Sequence, residues 1–135
     1  MSITDPTEHP WRLPLNPSST SRARALLRAQ LRQWRIEDEV IATAELLLSE
    51  LVTNAVNHAK TAPSGEIGVR ITRRQGLLRL EVTDSGSRPP ERRSAAVDDQ
   101  GGRGLMLVSA LGTSWGYRPR RDGAGKTVWV ELKII

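Results

Sequence analysis

The sequence predicts an α+β fold, a two-layer sandwich with helices on one face of a mixed, mainly antiparallel sheet. Three observations predict it. Two stretches carry apolar residues at helical spacing, the downstream runs alternate apolar and polar residues around glycine turns, and neither a repeat nor a linker divides the 135 residues. The expected layout is a flexible N-terminus over residues 1–10 and a single domain over residues 11–135. A chain of this length buries roughly two-thirds of its unfolded surface, so its core needs no staple of metal or disulfide.

The opening residues MSITDPTEHP are polar and proline-containing and read as loose. Trp11 to Leu15 alternates large apolar with other residues, the pattern of an edge strand that tolerates proline. Asn16 to Ser21 is rich in helix-start residues, and Ala23, Leu27, Leu31 and Trp34 then form one apolar stripe. Arg22, Arg24, Arg28, Arg32 and Arg35 cover the rest of that helix and read as a solvated face.

A longer helix is expected from about Glu37 to Ala59, ended by the proline and glycine within Thr61 to Gly65. Its apolar arc comprises Val40, Ala44, Leu47, Leu48, Leu51, Val52 and Ala55. Ile67, Val69 and Ile71 alternate before Gln75-Gly76, and Leu78, Leu80 and Val82 alternate after it, which makes a hairpin. Asp84 to Gly102 lacks periodicity and reads as a loop, followed by a short helix from Gly104 to Leu111. Trp115 to Arg118 and Thr127 to Leu132 form a second hairpin around a turn at Arg120 to Gly125.

Composition removes several classes of chemistry. With no cysteine, a disulfide framework, thiolate metal sites and a cysteine nucleophile are excluded. His9 and His58 are the only histidines, too few for a histidine metal cluster. No apolar run reaches the roughly 20 residues of a membrane helix, so neither a membrane nor an export route is expected and the compartment is read as cytoplasmic. The net charge of +5 invites a nucleic-acid reading, but 17 of the 20 basic residues are arginine and phenylalanine is absent. Base-stacking platforms are hard to build from such a set, and no direct nucleic-acid partner is expected.

Three polar residues on the long helix share one line. Glu50, Asn54 and His58 are four apart, which stacks a carboxylate, a carboxamide and an imidazole at the border of the apolar arc. Spacing alone fits either the polar margin of an amphipathic helix or a row that looks into a cleft. The opposite, polar face would carry Glu45 and Ser49.

Two familiar phosphate motifs fail. Gly125-Lys126-Thr127 ends like a phosphate-binding loop, but it leads into the strand-like Val128-Trp129-Val130-Glu131 where a helix is required. Gly102-Arg103-Gly104 begins like a dinucleotide fingerprint, but Leu107 stands where a glycine is needed. What remains is Asp84-Ser85-Gly86 at a strand end, and a glycine cluster at residues 101–104 where backbone amides at a helix start favour an anion.

Taken together, Glu50-Leu-Val-Thr-Asn54-Ala-Val-Asn-His58, Asp84-Ser-Gly86, Gly102-Arg-Gly104-Leu105 and Gly125-Lys-Thr127 stand in an order and spacing that resembles the GHKL, or Bergerat-fold, ATPase domain. The resemblance is greatest to the small stand-alone anti-sigma-factor serine/threonine kinases, and it runs from about Trp11 to Leu132. It implies that Asn54 ligates Mg²⁺ and that Asp84 accepts a hydrogen bond from the adenine amine of ATP, with Gly86 giving the base room. It also implies an ATP lid over residues 87–101 and phosphate contacts from Gly102, Arg103, Gly104 and Leu105. His58 would belong to the same nucleotide-binding helix motif, and Thr127 would join the adenine-side network. Glu50 would act as general base toward a serine or threonine hydroxyl. The implied partners are a sigma factor and an anti-sigma-factor antagonist, with the chain as a homodimer. The alternative is a non-catalytic ATP- or ADP-binding regulatory module that sequesters a protein partner. One departure stands out: Gly86 is followed by Ser87-Arg88 where the superfamily often has a second glycine.

Overall fold

Each alternating run leaves one apolar face per strand, and that face must be covered. The computed structural model describes residues 8–58, 65–84, 114–119 and 125–134. In chain order they form β1 (Glu8–Pro14), α1 (Ser18–Gln33), α2 (Asp38–His58), β2 (Glu66–Arg74), β3 (Leu77–Asp84), β4 (Ser114–Pro119) and β5 (Lys126–Lys133). The strands make one open sheet in the order β1-β2-β3-β5-β4, and α1 and α2 cover one face of it, so the two-layer α+β sandwich is the observed architecture.

Two expectations change. Among the described residues all four strand pairings are antiparallel, where a mixed, mainly antiparallel sheet was expected. The cause is the helix pair between β1 and β2. With two antiparallel helices between the strands the chain reverses three times, so β2 returns antiparallel to β1. The first strand also begins at Glu8, so the last three residues assigned to the loose N-terminus pair with β2. The expected loop after Asp84, the short helix at Gly104 to Leu111 and most of the turn at Arg120 to Gly125 lie outside the described residues.

The helices form for local reasons. Before α1, the Asn16 side chain accepts a hydrogen bond from the Ser18 amide at 2.9 Å and another from the Ser18 hydroxyl. At its far end, Ile36 N–H reaches Leu31 C=O and Arg35 N–H reaches Arg32 C=O, both at 2.9 Å, with Arg35 left-handed at φ 61°. This is a Schellman cap on a residue other than glycine. Thr20 lies against Thr53 and Arg28 against Glu45, so the helices run antiparallel.

The core is the one the periodicities select. Ala23, Leu27, Leu31 and Trp34 of the first stripe are buried, as are Ala44, Leu47, Leu48, Leu51, Val52 and Ala55 of the second. They meet Ile67, Val69, Ile71, Leu78, Leu80 and Val82 from the sheet. Each fully buried leucine or isoleucine contributes about 1.5–3 kcal/mol. Between β2 and β3, Gln75 and Gly76 take φ 49° and 79°, the two positive angles that let a two-residue turn follow the sheet's twist.

Candidate functional site

The candidate residues that the structure describes lie on one edge of α2 and at one end of the sheet. Glu50 and Asn54 are half-buried one helical turn apart, at the border between the buried face and solvent. Among the described residues neither side chain has a hydrogen-bond partner, so both are available to a ligand. His58 is the last residue of α2, and its side chain lies outside what is described.

Glu45 departs from its expected solvent-facing role. It is half-buried against α1, where Arg28 donates Nε to Oε2 at 2.9 Å and Nη2 to Oε1 at 2.8 Å, with Arg24 at 3.5 Å. The Arg28 hydrogen bonds hold the Glu45 carboxyl below the ordinary glutamate range against a smaller desolvation effect. The same bonds raise the Arg28 guanidinium. This pair fastens α2 to α1 and leaves the Glu50–Asn54 edge free.

At the sheet end, register decides which residues meet. Leu78 pairs with Leu132, Leu80 with Val130, Val82 with Val128 and Asp84 with Lys126. These four cross-strand pairs share the face that α1 and α2 cover. Three are apolar and the fourth is charged, with Lys126 Nζ 3.0 Å from Asp84 Oδ2. The Asp84 side chain is 1% exposed and that of Lys126 5%, so the ion pair is removed from water. A lone carboxylate buried to that depth would be costly, and the ammonium neutralises it.

Thr127 points the other way. Its hydroxyl is 2.8 Å from that of Thr83, on the sheet face opposite Asp84. It belongs to a row across the sheet, Arg12, Gly68, Thr83, Thr127 and Arg118, that floors a cleft of about 580 Å³. Asp84 and Thr127 are therefore not brought together by their side chains. Gly86, Gly102, Arg103, Gly104 and Leu105 lie outside the described residues.

The residue that the motif reading missed is Lys126. Its signal was present, since it shares parity with Val128, Val130 and Leu132 and so had to fall on the helix-facing side of β5.

The fold agrees with what known proteins show. A family model described as the histidine kinase-like ATPase domain matches residues 13–132. No curated protein matches. Among solved structures, the RsbU and RsbW domains of Rv1364c from Mycobacterium tuberculosis are similar over 93% of this chain at 20% identity and a TM-score of 0.67. This chain spans 32% of that one. The SiaB–SiaC complex from Pseudomonas aeruginosa is similar at 14% identity and a TM-score of 0.64, covering 97% of this chain and 93% of that chain. The histidine kinase domain of the blue-light activated histidine kinase from Erythrobacter litoralis EL346 is similar at 22% identity and a TM-score of 0.55, covering 90% and 62%. At these identities the structures show the shared fold, while the family model covers nearly the whole chain. The chain belongs to the histidine kinase-like ATPase domain family, a family of ATP-binding domains.

Proposed function

We propose that this chain is an ATP–Mg²⁺-dependent serine/threonine protein kinase of the anti-sigma-factor type, which binds a sigma factor and phosphorylates its antagonist. The observation that carries the reading is the pair of half-buried side chains on one helix edge, Glu50 and Asn54, which have no hydrogen-bond partner among the described residues. A structural polar margin would turn them to solvent or tie them to neighbours, as Glu45 is tied to Arg28.

The residues suit the group. Mg²⁺ keeps several waters and takes one or two protein oxygens besides those of a phosphate, so a single carboxamide at Asn54 suffices. ATP supplies the phosphoryl group when bound. Asp84 takes the base end, where a buried carboxylate accepts from an exocyclic amine. Glu50 takes the proton from the partner's hydroxyl, an alcohol too weak as a nucleophile until a base relieves it of that proton. Such a positioned base typically contributes about 10²–10⁴-fold.

Two of the similar structures have a second component in their names, RsbU beside RsbW and SiaC with SiaB. That supports a protein partner for this chain. Among the described residues no helix is long and apolar enough to cross a membrane; a cytoplasmic homodimer is what the sequence resemblance implies, and we propose it on that ground. Incubation with γ-labelled ATP, Mg²⁺ and candidate antagonist proteins tests the function. Label on an antagonist serine or threonine is expected. ATP binding without transfer to any antagonist would make the chain a sequestering module instead.

A further inference from the structure

Lys126 is a lysine where an apolar residue would continue the row of Val128, Val130 and Leu132. Its ammonium has three donors, and among the described residues Asp84 is its one hydrogen-bond partner. Two donors held in a nearly dry site are expensive unless something accepts from them. Asp84 in turn has roughly four acceptor positions, more than one ammonium fills. The ion pair is net neutral and sets an acceptor and a donor side by side, 3.0 Å apart, beside the apolar Val82–Val128 pair.

Adenine has the matching edge. Its exocyclic amine is a donor, the adjoining ring nitrogen N1 is an acceptor, and both lie on the edge that proteins read when a base is out of a helix. A neutral, flat, largely apolar ring also suits a neutral pair better than a lone carboxylate, which would have to be buried uncompensated. We propose that Lys126 is a base-reading residue of the nucleotide site: its ammonium donates to the N1 acceptor of the purine while Asp84 accepts from the neighbouring amine. The proposal rests on the reading that this chain binds ATP through Asp84. It makes base selection a property of two residues on two strands, fixed by the β3–β5 register.

The test is calorimetry of the full chain in Mg²⁺ with two ligands, ATP and 1-deaza-ATP, in which N1 is replaced by C–H. The native chain is expected to bind 1-deaza-ATP at least about tenfold more weakly, because the Lys126 donor then faces carbon. Lys126→Met should weaken ATP binding and bring the two ligands within about twofold of each other. If the native chain binds both ligands equally while still binding ATP, Lys126 is a structural counter-ion and the proposal is overturned alone. If it binds neither, the ATP reading itself falls and takes the proposal with it. Thermal unfolding of Lys126→Met shows whether that variant is folded, and if it is not, the two-ligand comparison on the native chain decides.

Discussion

The Glu45 carboxylate of α2 accepts both the Nε and the Nη2 hydrogens of Arg28 from α1, at 2.9 and 2.8 Å, in a two-pronged clasp across the helix pair. Its folded-state pKa is lowered, first by those hydrogen bonds, from an ordinary value of 4.5. A depressed carboxyl pKa contributes stability that is fully present above the unfolded value and is lost as pH falls through the folded one. Glu45→Gln should therefore be less stable than the native chain at neutral pH, with the gap closing below about pH 4.5. Urea unfolding at a series of pH values measures this, and a gap that persists unchanged into acid would refute the linkage.

Gly116 of β4 gives room to Trp129 of β5. A Cβ at Gly116 would sit 2.8 Å from Trp129 Cζ2, and the indole cannot retreat freely because the Arg79 guanidinium lies 4.2 Å from its centroid. Arg79 is itself held by Glu81 at 2.7 Å and Glu131 at 2.9 Å. Gly116→Ala should cost about 1–3 kcal/mol through overpacking. The same substitution in a Trp129→Leu background should cost much less, and a thermal double-mutant cycle reads the difference.

Asn54 is assigned to the metal rather than to the fold. Asn54→Ala should weaken ATP binding in Mg²⁺ far more than in EDTA. An equal loss in both buffers would make the carboxamide a structural or purely nucleotide-binding group.

As the proposed general base, Glu50 should separate chemistry from binding. Glu50→Ala keeps a good helix former on α2, so the fold should survive. ATP affinity should stay within about threefold, under 1 kcal/mol, while phosphotransfer to the antagonist falls at least about a hundredfold. Binding and transfer falling together would mean that Glu50 supports the nucleotide site instead of acting as base.

Much of the scaffold could be read from periodicity because it is set by local rules. The stripe of Ala23, Leu27, Leu31 and Trp34 is buried as spacing requires, and the Gln75-Gly76 turn falls between the two alternating runs. What periodicity omits is the identity of the neighbour. It put Glu45 on a polar face, but only packing against α1 brings Arg28 to it. The placement of β5 between β3 and β4 is likewise a long-range pairing with no local signature. Lys126 was hidden for another reason: Gly125-Lys126-Thr127 looks like a broken phosphate motif, and a lysine is not expected among core positions. Strand parity puts Lys126 and Asp84 each on the face of its strand's apolar residues and Thr127 and Thr83 on the other, and the β3–β5 register then pairs them.

The two outermost strands carry a consequence for how this chain keeps company. An incoming strand extends a sheet by taking up the free N–H groups along its rim. Leu15, just past β1, turns its amide inward to the Gly65 carbonyl, and by alternation the amide positions at residues 10, 12 and 14 face outward. Two of those are Pro10 and Pro14, which have no hydrogen to offer, and β4 at the other rim ends in Pro119. The β1 border is therefore a poor template for filament growth or for capture of an extended peptide.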